Sequence, residues 1–103
     1  MKRGELRWYK FKSPDKKRPV LILTRNSILG YLDEVTVAPV TSTIRDIPSE
    51  VLLFKSDGLS RDCAINFDHI QTVSKSKIGH LIAVLSPERL EEVREAISFS
   101  LDL

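Results

Sequence analysis

Pro19-Val20-Leu21-Ile22-Leu23-Thr24 is the stretch on which the fold turns. It is too short and too β-branched for a good helix, and an apolar run without alternation suits a strand covered on both faces. Arg18 stands directly before it, and Arg25-Asn26 closes it. On its N-terminal side, residues 5–11 are rich in aromatics and read as a first strand. Between the two lies a polar break, residues 12–17, with a Pro14-Asp15 turn signal. On its C-terminal side, residues 27–31 contain Gly30 and read as a turn. Residues 32–41 read as a third strand, with Val35, Val37 and Pro39 on one side and Thr36, Ala38 and Val40 on the other. Pro39 lacks an N–H for a ladder, which predicts an edge, a bulge or a strand end there. Residues 42–49 form a polar loop, and residues 51–55 a strand closed by the Asp57-Gly58 turn. Residues 63–67 and 70–73 read as short strands flanking Asp68-His69, and residues 78–85 as a last strand.

The C-terminus changes period. Ser86 is a good N-cap and Pro87 fits the first helical position, where a missing N–H costs nothing. Leu90, Val93, Ile97 and Leu101 recur at helical spacing, with Glu88, Glu91, Glu92 and Glu95 between them. The expected class is therefore α+β: a mostly antiparallel β domain closed by one amphipathic helix. A chain of 103 residues fits one domain, residues 1–103, without repeats or linkers. The single Cys63, inside the apolar run Cys63-Ala64-Ile65, reads as a buried structural thiol. Neither a leader nor a membrane span is legible, which points to a cytoplasmic protein with no membrane partner.

The net charge of +2 hides an asymmetry. Residues 1–18 carry eight Lys/Arg against Glu5 and Asp15, a local +6, and the remainder carries eight against twelve, a local −4. A basic leading segment favours an anionic partner, of which a phosphate backbone is the commonest. Phosphate loops, metal-ligand spacings and nucleophile elbows are absent. His69 and His80 lie far apart in sequence, and no metal or other cofactor is expected. What stands out is a set of hydrogen-bond donors at strand ends: Arg18, Arg25-Asn26, and Thr41-Ser42-Thr43 with Arg45. If the second and third strands are neighbours, Arg18 and Thr41 can converge on one anionic group, the guanidinium fork matching phosphate oxygens and the hydroxyl donating to another. The plainer readings are a surface ion pair for Arg18 and a turn hydroxyl for Thr41.

In order along the chain, Arg3-Gly4-Glu5-Leu6, Arg18-Pro19-Val20-Leu21-Ile22-Leu23, Val37-Ala38-Pro39-Val40-Thr41-Ser42, Asn66-Phe67-Asp68-His69-Ile70-Gln71-Thr72 and residues 82–93 resemble the motifs of the MazF/PemK toxin family. The resemblance spans essentially the whole chain. It implies an SH3-like, CcdB/PemK-type β-barrel that forms a homodimer, with single-stranded RNA in a groove near the dimer interface. It also implies a type II toxin–antitoxin system in which a cognate antitoxin occupies that groove. The implied activity is that of a metal-independent endoribonuclease, an mRNA interferase. The ribose 2′-OH attacks the adjacent phosphate and leaves 2′,3′-cyclic phosphate and 5′-OH ends.

On that resemblance Arg18 and Thr41 are the catalytic residues, stabilising charge on the phosphate. Arg25, Asn26, Ser42, Thr43, Arg45, Asn66, His69 and Gln71 are the candidate RNA-binding set, and Trp8, Tyr9 and Phe11 are candidate stacking platforms unless they lie in the core. The general base stays open between His69 and Asp15, because an arginine is a poor base. The chain departs from the family where His69 replaces a Gln and Gln71 an Arg, and where residues 12–17 are short and lack an acidic residue at the usual spacing. Sequence preference should differ accordingly. Two other readings compete: a non-catalytic nucleic-acid-binding barrel and a CcdB-type gyrase poison.

Overall fold

The computed structural model describes residues 1–11 and 17–103. The expected turn at residues 12–16, with Asp15, lies outside the described residues. The apolar run forms the middle of the sheet. Strand β2 (Lys17–Ile22) pairs antiparallel with β1 (Glu5–Lys10) on one side and with β3 (Glu34–Thr41) on the other, so that Leu21 sits between Leu6 and Ala38. Alternate residues then feed two clusters. Leu21 and Leu23 join Leu6, Ala38, Val40, Leu53, Ile65, Phe67 and Val93, whereas Val20 and Ile22 join Leu29, Val35, Val37 and Val73. Val20, Leu21 and Ile22 are 0% exposed, as a strand covered on both faces requires. β2 begins two residues earlier than its apolar run because Tyr9↔Arg18 and Lys10↔Lys17 continue the β1 ladder. Arg18 is thus inside the strand rather than ahead of it.

Pro39 is a departure of another kind. β3 is a central strand, not an edge. On the side away from β2 it pairs first with β6 (Gln71–Ser74), ending at Val37↔Gln71, and then with β5 (Cys63–Asn66), from Val40↔Ile65. Pro39 falls between these two partners, where that flank has no ladder bond to lose. The turn read over residues 27–31 overlaps the short helix α1 (Asn26–Leu29), pinned by buried Leu29. β4 (Glu50–Leu53) and β7 (Ile78–Val84) complete the sheet. The strand order is β4-β5-β3-β2-β1-β7, with β6 beside β3.

The closed barrel implied by the resemblance is corrected here: among the described residues β4 and β7 are the two ends of the path and do not pair. The turn that follows β4 approaches β7 on that side instead. Gly58, at φ +97°, follows the 3-10 turn Lys55–Asp57 and comes so near β7 that a Cβ there would lie 2.7 Å from the Ala83 Cβ. Helix α2 (Pro87–Leu101) packs near β4. Ser86 Oγ accepts the Arg89 N–H at 3.2 Å, and Pro87 stands in the first turn. Its inner face is Val93 and Ala96, with Leu90 and Ile97 half-buried against the main cluster. Leu101, expected on that face, is 56% exposed in the last turn, beyond the reach of the core. No helix is long and apolar enough to cross a membrane.

Candidate active site

The β2–β3 register builds the site. The pairs Ile22↔Val37, Leu21↔Ala38 and Val20↔Pro39 run towards the N-terminal end of β2, and the same register carried on sets Arg18 across from Thr41. On its other side Thr41 pairs with Ala64 of β5, so its backbone is held between two strands. At this end of the sheet a cavity of about 200 Å³ is lined by Lys17, Arg18, Thr41 and Ser42, together with Trp8, Leu59, Ser60, Arg61 and Cys63. Three cations and three hydroxyls border it, and no carboxylate does so among the described residues. Thr41 Oγ1 accepts the Thr43 N–H at 3.1 Å, which fixes the oxygen and leaves the hydroxyl hydrogen to donate elsewhere. The turn hydroxyl and the anion donor are therefore compatible roles of one group. Trp8, 37% exposed, offers an indole face at the rim, whereas Tyr9 and Phe11 meet edge-to-face at 4.7 Å and pack on the second cluster.

Cys63 borders the cavity but is 6% exposed. Burial pushes its thiol up, the charges of Asp57 and Asp62 add to this, and Arg61 opposes it, so it stays a neutral thiol at ordinary pH. The remaining RNA-binding candidates lie elsewhere. Arg25 and Asn26 follow the opposite end of β2, roughly 20 Å from Arg18 at strand rise, and the Asn26 side-chain oxygen accepts the Arg3 N–H at 2.8 Å. Arg45 sits on the exposed loop after β3. Its N–H and that of Asp46 are held by Glu50 Oε1 at 3.0 and 3.1 Å, and its guanidinium lies 4.0 Å from Glu50 Oε2. Asn66 is 6% exposed, and its Oδ1 caps the 3-10 turn Phe67–His69 by accepting the Asp68 N–H at 2.8 Å. Its Oδ1 is thereby engaged. His69 and Gln71 are exposed and outside the cavity lining; Gln71 pairs with Val37, roughly 13 Å along β3 from Thr41.

Lys17, Ser60 and Arg61 are the residues that sequence reasoning missed. In the sequence Lys17 counts only towards the basic leading segment, as the last residue of a polar break with a turn signal. Ser60 and Arg61 follow the recognised Asp57-Gly58 turn, but nothing in their spacing tells where that turn aims them. Two other concavities differ in charge. One of about 510 Å³ between α2 and β4 carries Glu50, Glu92 and Glu95, and its Arg89 is already paired with Asp57 and Glu92. Another of about 390 Å³ carries Asp33 and Glu34 beside Tyr31 and Thr72. A polyanion suits only the first-described of the three. Among the described residues no three His, Cys, Asp or Glu gather closely enough to hold a metal ion.

The profile of the PemK-like, MazF-like toxins of type II toxin–antitoxin systems matches residues 2–101. The chain is 37% identical over 101 residues to the probable endoribonuclease MazF2 of Mycobacterium tuberculosis, covering 97% of each protein. It is 38% identical over 89 residues to the endoribonuclease MazF3 of the same organism, covering 86% of each. Among solved structures, the M. tuberculosis toxin MazF-mt6 superposes with a TM-score of 0.89 at 33% identity, covering 96% of this chain and 97% of that one. An endoribonuclease from a mycobacterial species, solved with its cognate antitoxin, superposes with a TM-score of 0.89 at 25% identity, covering 100% of this chain and 96% of that one.

Proposed function

Because the chain belongs to the PemK-like, MazF-like family of type II toxins, we propose that it is a toxin endoribonuclease cutting single-stranded RNA in the Arg18–Thr41 pocket. The observation that carries the reading is the β2–β3 register, which sets Arg18 across from Thr41 in a basic cavity bordered by no carboxylate among the described residues. The ribose 2′-oxygen attacks the adjacent phosphorus as its own proton leaves, the P–O5′ bond breaks, and a proton is returned to the 5′-oxygen. The products are a 2′,3′-cyclic phosphate and a 5′-OH end. Charge gathers on the non-bridging oxygens, where Arg18 and Thr41 supply fixed donors, an effect typically worth about 3 kcal/mol per donor. Holding the 2′-OH in line supplies much of the rest. The reaction asks for no metal.

Trp8 at the rim serves as a stacking platform, and Ser42 and Thr43 extend the row of donors beside Thr41. His69, Gln71 and Arg45, exposed and outside the pocket lining, are assigned to nucleotides away from the reacting phosphate. Asn66 Oδ1 is committed to its capping bond, so the part of this side chain left to meet RNA is its amide NH2. His69 does not border the pocket, which weighs against it as the base. The relative solved with its cognate antitoxin supports control of this chain by an antitoxin of its own, and on the same reading it acts in the cytoplasm as a homodimeric single domain.

The test is incubation of the purified protein in EDTA with a mixed-sequence single-stranded RNA and with the same sequence as DNA. Discrete RNA fragments ending in cyclic phosphate, with DNA intact, are expected. Binding of both polymers without cleavage would replace the enzyme by a nucleic-acid-binding module.

A further inference from the structure

Arg61 stands apart from the ladder that holds Arg18 and Thr41. It reaches the same cavity from the segment after Gly58, in company with Leu59 and Ser60. Among the described residues it forms no ion pair or hydrogen bond through its side chain. With Lys17 and Arg18 it makes a third positive charge around one small concavity. Such like charges repel one another until a polyanion is present. A guanidinium left unpaired beside two other cations is the arrangement a phosphate backbone satisfies.

The segment that carries Arg61 is pinned from behind. Arg89 of α2 grips Asp57 through two parallel bonds, Nε to Oδ1 and Nη2 to Oδ2, both at 3.0 Å. The pair is largely shielded, at 18% and 13% side-chain exposure. Asp57 Oδ2 also accepts the Phe54 N–H at 2.9 Å, and the Gly58 N–H donates to the Lys55 oxygen at 3.0 Å. Gly58 lies against Ala83, and Leu59 packs on the main cluster. The chain is thus fixed on both sides of the turn just before it delivers Arg61.

We propose that Arg61 is a phosphate-binding residue of this site, gripping the phosphate next to the one that is cut, and that the Asp57–Arg89 pair is its positioning device. The inference rests on the ribonuclease reading above. Arg18 and Thr41 are set by strand pairing and suit the reacting phosphate, whereas a cation on a loop suits the flanking backbone, where tolerance is greater. Arg61 therefore contributes to holding RNA rather than to the chemical step.

The experiment uses the full chain and a short RNA containing one cut site, with KM and kcat measured across a range of salt. Arg61→Ala should raise KM about tenfold with kcat within about twofold of the parent. It should also flatten the slope of log KM against log salt by about 0.7, the value for one single-strand phosphate contact. Arg61→Lys should restore most of the salt slope. Asp57→Asn and Arg89→Lys should raise KM by a smaller factor, and neither should add to Arg61→Ala in the double variant. Parental KM and salt slope in Arg61→Ala would overturn the proposal. A fall in kcat at constant KM would overturn the flanking assignment, and additive effects would overturn the positioning role. A 2′-O-methyl RNA of the same sequence cannot be cut, so its affinity reads Arg61 separately from catalysis. Arg61-dependent binding with no cleavage of ordinary RNA would sink the ribonuclease reading and leave the phosphate contact standing.

Discussion

On the proposed reading, Thr41 is one side chain with a backbone role and a substrate role together. Its oxygen closes a turn by accepting the Thr43 N–H, so Thr41→Ala removes a bond worth about 1 kcal/mol as well as a donor to the phosphate. Arg18 has no partner among the described residues to lose. Both Arg18→Ala and Thr41→Ala should lower the cleavage rate by about 10²-fold or more, but only Thr41→Ala should also lower the melting temperature. Thr41→Ser should keep both, and unchanged rates in the two alanine variants would remove these residues from the site. The pair was legible in the sequence because strand neighbours bring their ends together. Arg25 and Asn26 fall at the other end of β2, a separation that a list of strand-end donors does not reveal. Asn66 was illegible as a cap, since a polar residue in a notch between strands reads alike whether it faces solvent or closes a 3-10 turn.

The elements divide between those with a period and those defined by what they touch. The apolar run, the alternating strands and the Ser86-Pro87 helix start were legible, since burial on one or two faces writes itself into the sequence. The failure of β4 and β7 to meet was not, because whether a sheet closes depends on strand tilt and curvature that no local pattern encodes. Gly58 belongs to this second kind. Gly58→Ala should cost about 2 kcal/mol, from the left-handed backbone and from the clash with Ala83, and thermal unfolding in the Gly58→Ala, Ala83→Gly double variant should recover the clash part alone. Val93, 0% exposed on α2, anchors the helix to the main cluster, and Val93→Asp should leave the chain unfolded or insoluble. Between these elements, burial pushes the Asp57 carboxyl up, but the Arg89 bonds and charge and the Phe54 N–H outweigh it, and the group ends below its ordinary 3.8. Folding therefore favours its ionised form. The stabilisation is complete above about pH 5 and is lost as pH falls through 4 and below. Melting temperature should drop more steeply with acid in the parent than in Asp57→Asn.

Across the molecule, charge is sorted by surface. The basic leading segment delivers Lys17 and Arg18 to a cavity free of carboxylates among the described residues, while Glu50, Glu92 and Glu95 border another. RNA affinity should thus fall steeply with salt, with a slope set by the few cations around the cavity rather than by the net charge of +2. A slope near zero would mean that this sorting has no part in binding. The site is also assembled from stretches distant in sequence: Trp8, Lys17–Arg18, Thr41–Ser42 and Leu59–Arg61. The Asp57–Arg89 clasp joins the middle of the chain to its final helix. Since a ribosome releases a chain from its N-terminus onward, the clasp forms only after Arg89 has left the exit tunnel. The turn that delivers Arg61 is therefore clasped late, after the strands that carry Arg18 and Thr41 have already been made.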